Sequence, residues 1–73
     1  MKISQFIAYF SNKDAAIQFA HCISKDFFYL VKGNNVFVTH RKIGNIESPL
    51  SSADGERLNS IAIKNRNLLR VSY

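Results

Sequence analysis

The sequence has one cysteine, one proline, three glycines and only five acidic residues among its 73 positions. A single cysteine, Cys22, excludes an internal disulfide framework and suits a reducing, cytoplasmic compartment. So little proline and glycine removes collagen-like and low-complexity chains from consideration. No stretch approaches the ~18 consecutive apolar residues of a membrane span, so no membrane association is expected. The start of the chain carries Lys2, then Ser4 and Gln5, with no small-residue cleavage site, which argues against a secretory leader.

What is present points to a folded domain. Leu, Ile, Val and Phe make up 23 of the 73 residues, well above the roughly 20% below which disorder is the better reading. The length suits one domain over residues 1–73. Its core is real but thin, because a chain of this size buries only about 60% of the surface that its unfolded form exposes. Ten basic residues against five acidic ones give a net charge of +5 and a pI near 9.7. Such an excess on a small body attracts phosphate or acidic protein surface. The plainer reading is solubility, since the basic residues are dispersed along the chain rather than massed in a tail.

Ile3 to Phe10 is apolar with β-branched and aromatic types prominent, and reads as a central strand. Ser11 and Asn12 offer cap chemistry, with Asp14 favourable in the first turn of a helix. From Lys13 to Ser24 the apolar positions Ala16, Phe19, Ala20 and Ile23 follow helical spacing. Phe27 to Lys32 and Asn35 to Lys42 predict a strand pair, joined where Gly33-Asn34-Asn35 can supply a positive φ. Gly44 to Ser52 is rich in Gly, Asn, Ser and Pro and predicts a loop. Ser51 or Ser52 then caps a second helix with Leu58, Ile61 and Ala62 as its buried stripe. Leu68 to Tyr73 predicts the last strand.

The order β-α-β-β-α-β predicts an α+β fold. Its expected form is a ferredoxin-like βαββαβ plait, a four-stranded antiparallel sheet in the order four, one, three, two with two helices on one face. One face of such a sheet has no cover. Alternation along the third strand sends Val36 and Val38 to the helices and Phe37, Thr39 and Arg41 to the open face. On the last strand, Leu69 and Val71 go inward and Leu68, Arg70 and Ser72 outward. On the first strand two assignments stand. The preferred one turns Tyr9 outward, because its hydroxyl tolerates water and Gln5 falls on the same side.

Tyr9 and Phe37 on neighbouring central strands, with Arg41 and Arg70 beside them, make a platform on which unpaired bases can stack while cations hold phosphates. This layout is similar to the RNA-recognition-motif domain, which places aromatics on its first and third strands. The likeness covers topology and those two positions. The third strand here, Asn35-Val-Phe-Val-Thr-His-Arg41, has one aromatic and no glycine, where that family's strand is rich in both. The leading expectation is a binding module for single-stranded RNA or DNA that uses Tyr9, Lys32, Phe37, Arg41, Arg66 and Arg70. Lys32, Lys64 and Arg66 are expected at one end of the sheet. The rival is a small inhibitor or adaptor, of a kind that phages and mobile elements encode. It docks the same apolar face on a nucleic-acid-processing protein, or on a second copy to form a homodimer.

Catalytic chemistry finds little support. His21 and Cys22 are adjacent on one helix, so their side chains diverge by about 100° and do not suit a shared metal. His40, Arg41 and Tyr73 could imitate a ribonuclease acid–base group if the chain termini met. A histidine near the end of the sheet needs no such role. The carboxylates Asp14, Asp26, Glu47, Asp54 and Glu56 show no clustered spacing, so no metal is expected, and no phosphate-cradling glycine loop occurs. No cofactor and no enzymatic activity are expected.

Overall fold

The computed structural model describes residues 2–73. It is an α+β fold with two helices and a six-stranded sheet whose pairings among the described residues are all antiparallel. The elements are β1 (Lys2–Ile3), β2 (Phe6–Phe10), α1 (Lys13–Ile23), β3 (Phe27–Lys32), β4 (Asn35–Ile43), β5 (Ile46–Ser51), α2 (Ser52–Ala62) and β6 (Leu68–Ser72). No helix is long and apolar enough to cross a membrane.

Two features depart from the four strands expected. First, the segment read as a loop contains β5, which pairs with β4 through Ile43↔Ile46 to His40↔Pro49 and with β1 through Ile3↔Leu50. Ser, Asn and Pro argue against a strand when taken alone, but Gly44 (φ 62°) turns the chain straight back on β4. Pro49 lies where β5 has a ladder neighbour on one side only, a place that tolerates a missing N–H. Second, the single first strand is divided at Ser4-Gln5. Its short N-terminal part joins β5, and its longer part lies between β4 and β6. The four strands foreseen from the sequence are adjacent in the order β6-β2-β4-β3.

Local chemistry accounts for the helices. Asn12 caps α1, its side chain accepting from the Ala15 N–H at 2.8 Å. Ser51 and Asp54 form a reciprocal capping box at the start of α2. The Ser51 hydroxyl accepts from the Asp54 N–H at 3.2 Å, and the Asp54 carboxylate accepts from the Ser51 N–H at 2.9 Å. Asp54 is therefore buried but satisfied, and it fills the anion position that this helix terminus would otherwise offer. Gly55 lets the chain end lie close, because a Cβ there would come within 2.8 Å of the Tyr73 ring.

The core lies between the helices and one face of the sheet. Phe6, Ala8 and Phe10 of β2, Val36 and Val38 of β4, Phe27 of β3 and Leu50 of β5 meet Ala16, Phe19, Ala20 and Ile23 of α1 and Leu58 and Ala62 of α2. Phe19 sits between Phe10 and Phe6, with ring centroids 5.5 and 6.4 Å apart. Tyr73 packs on Phe6 as a tilted pair, with ring centroids 5.3 Å apart. Each fully buried large side chain stabilises the fold by about 1.5–3 kcal/mol relative to exposure.

Candidate functional site

The face of the sheet away from the helices is set by register, because directly opposed residues share a face. Tyr9 opposes Arg70 and Asn35, Ile7 opposes Phe37 and Ser72, and Leu30 opposes Phe37. With Phe6, Ala8 and Phe10 in the core, Ile7 and Tyr9 point away from the helices, the assignment preferred from sequence. Ile7 is only 8% exposed there, so the taller side chains around it lie over it.

Two bulges reassign the neighbours. On β4, Phe28 opposes His40 and Tyr29 opposes Val38, so Thr39 has no partner on β3. The extra residue shifts the alternation by one. Beyond it, His40 and Lys42 face outward, while Arg41 opposes the core residue Phe27 and therefore lies on the helix side. The expectation that Arg41 joins the open face is thus corrected, and the cause is a single inserted position. On β6, Tyr9 opposes Arg70 and Phe10 opposes Leu68, leaving Leu69 unpaired. Leu68 packs on the core and Leu69 is 67% exposed, the reverse of strict alternation.

Three pairs of a cation and an aromatic ring result on this face. The Arg70 guanidinium lies 4.1 Å from the Tyr9 ring centroid. Lys32 Nζ lies 5.5 Å from the Phe37 ring, and Lys42 Nζ lies 5.5 Å from the Phe28 ring. Each such contact is worth about 0.5–1 kcal/mol when exposed. The register runs the rings diagonally, from Tyr9 on β2 through Phe37 on β4 to Phe28 on β3. From strand spacing and rise, Tyr9 and Phe37 are about 8 Å apart along this line. Glu47, opposite Lys42, is the one acidic residue on the face among those described.

Of the six residues singled out in the sequence, the fold brings Tyr9, Phe37, Lys32 and Arg70 onto one surface. Arg66 is not among them. It sits in the α2–β6 loop and lines a groove on the helix side with Lys64. Lys32, Lys64 and Arg66, foreseen together at one sheet end, are divided between the open face and the helix side, although the turns near them are tied to the same end of β2. There the Phe10 N–H donates to Asn34 O and the Ser11 N–H to Asn67 O. Sequence reasoning passed over Phe28 and Lys42. The alternation Phe27, Tyr29, Val31 against Phe28, Leu30, Lys32 was a sufficient signal for the first, but the bulge hid the second. His40 does not form a group with Arg41 and Tyr73, since the sheet stands between them. Among the described residues, no three His, Cys, Asp or Glu side chains come together to hold a metal ion.

The chain matches no protein-family model, no curated protein and no solved structure.

Proposed function

We propose that this chain is a non-enzymatic binding module of the cytoplasm, a ferredoxin-like plait enlarged by the β4–β5 hairpin and β1, that holds single-stranded nucleic acid, RNA in the first place, across its open sheet face. The observation that carries the reading is the diagonal of Tyr9, Phe37 and Phe28, each ring with its own cation. Bases stack on aromatic faces for about 1–3 kcal/mol each, independently of sequence. Arg70, Lys32 and Lys42 form no ion pair among the described residues, where the single one is Arg57–Asp26, although Glu47 stands opposite Lys42. A phosphate can draw each cation off its ring, so one movement supplies the charge contact and uncovers the stacking surface.

A second reading rests on Leu30, which is 53% exposed beside Phe37. An apolar side chain between the rings also suits a protein partner, such as a nucleic-acid-processing enzyme that this chain inhibits or a second copy of itself.

Fluorescence anisotropy with a short labelled RNA, alongside light-scattering mass measurement, separates the two. Three phosphate contacts predict a log–log salt slope of about −2, at roughly 0.7 per phosphate on a single strand. Phe37→Ala is expected to weaken binding about 5- to 150-fold, the equivalent of one lost stack of about 1–3 kcal/mol. A protein that stays dimeric at high salt and ignores RNA would transfer this face to the protein-partner reading.

A further inference from the structure

On the opposite side of the molecule, a groove of about 400 Å³ runs between α1 and the α2–β6 loop. Its size falls within the range of small-molecule sites, about 300–1,000 Å³. Phe19 and the half-buried Ile61 give it an apolar floor. The loop wall is fixed by its own bonds. The Asn65 N–H donates to Ala62 O, the Leu68 N–H to Asn65 O and the Ser11 N–H to Asn67 O.

The polar lining is Gln18, Lys64, Asn65, Arg66 and Asn67, rich in donors although the Gln18 amide also brings an acceptor. Asn65 Oδ1 accepts from the Asn67 N–H at 2.9 Å, and Asn67 Oδ1 accepts from the Ser11 hydroxyl at 3.2 Å. Each amide oxygen is thereby held by one bond within the loop, and among the described residues neither amide nitrogen has a partner. The two NH2 groups are free to donate to a ligand. Lys64 and Arg66 add two cations that no described carboxylate pairs, and the lining contains no acidic residue. Two cations and free amide donors over an apolar floor, with no carboxylate among them, are complementary to an anion that carries a ring.

We propose that this groove binds a phosphomonoester attached to an aromatic ring, with Arg66 and Lys64 on the phosphate and the ring against Ile61. That chemistry is carried by a free nucleoside monophosphate or by the phosphorylated end of a nucleic-acid strand. The site does not depend on what the open face binds.

Cys22 supplies the test, because it is the sole cysteine, is exposed and lines the groove. The rate of its alkylation by neutral iodoacetamide is followed by intact mass, with adenosine 5′-monophosphate, adenosine, inorganic phosphate or sodium chloride at matched ionic strength. At about ten times its Kd, the monophosphate should slow the reaction about tenfold, since only free protein reacts. Adenosine and chloride should not slow it, and inorganic phosphate should act more weakly. Protection should disappear in K64A/R66A, whose residues are exposed, and in R66A alone should weaken, with melting temperatures unchanged. It should persist in F37A, which separates this site from the open face. A trinucleotide with a 5′-phosphate, compared with the same trinucleotide lacking it, assigns the source: protection by the phosphorylated trinucleotide well beyond that by the monophosphate marks a strand end, and the reverse marks a free nucleotide. No protection, protection equalled by chloride, or protection retained in K64A/R66A overturns the proposal.

Discussion

The two faces of one sheet obey different rules in this protein. Toward the helices, Phe6, Ala8, Val36, Val38 and Leu50 are fully buried, and none of the described buried side-chain polar atoms lacks a partner. Toward solvent, Tyr9, Phe28 and Phe37 remain half-buried, and each lies beside a cation. The covered face is ordered by packing density, where the loss of a methylene is felt. The open face instead combines half-buried apolar area with charge.

The sharpest way to break this contrast is to truncate one ring on each face. Phe6→Ala removes a ring packed against Phe19 and Tyr73 and should cost about 3–5 kcal/mol. In so small a domain that loss leaves little cooperative unfolding to observe in urea. Phe37→Ala should cost about 1 kcal/mol of stability, since a half-exposed ring forgoes only part of the roughly 1.5–3 kcal/mol of full burial. Equal losses in the two melts would show that the open face is core after all.

Next in size is the α2 cap, which satisfies backbone N–H groups at the start of the helix by hydrogen bonds rather than by apolar contact. Ser51→Ala removes the acceptor for the Asp54 N–H and should cost about 1 kcal/mol in a urea titration, with binding at the open face unchanged. A change in RNA affinity would tie the two faces together more closely than the contrast allows.

The smallest effect compares two arginines that each lie over a ring. Arg57 lies 5.9 Å from Phe27 and pairs with Asp26 at 3.0 Å, with both side chains about half exposed. Arg57→Met should change stability by no more than about 1 kcal/mol, because exposed ion pairs contribute little. Arg70→Met should leave stability within the same bound, yet flatten the salt dependence of RNA binding by about one phosphate contact, roughly 0.7 in slope. If the two substitutions behave alike in both assays, the distinction between a structural and a binding arginine fails.

Much of this architecture was legible in the chain. Apolar spacing placed α1 within one residue of its observed end, and Asn12 or Ser51 beside an acidic first turn announced both caps. Gly33, with φ 59°, marked the β3–β4 turn because only glycine reaches that conformation without strain. On the candidate site, the hydroxyl of Tyr9 and the alternation about Val36 and Val38 were enough to turn Tyr9 and Phe37 outward. What escaped was everything that depends on a partner strand. β5, with Glu47, Ser48, Pro49 and Ser51 among its six residues, carries a weak strand signal of its own and becomes a strand through β4 and β1. Thr39 and Leu69 look like ordinary strand positions until their opposites are known.

The sequence by itself determined the helices, the turns, the basic charge and the α+β class, because these follow from spacing, caps and φ preference within a few residues. Only the tertiary structure decided that the sheet has six strands, that Arg41 turns to the helices while Lys42 turns outward, and that Arg66 belongs to a groove on the other side. The reason is physical. Strand alternation has a period of two, so one bulged residue reverses every side chain beyond it, and a bulge is a property of two strands in register rather than of either one alone.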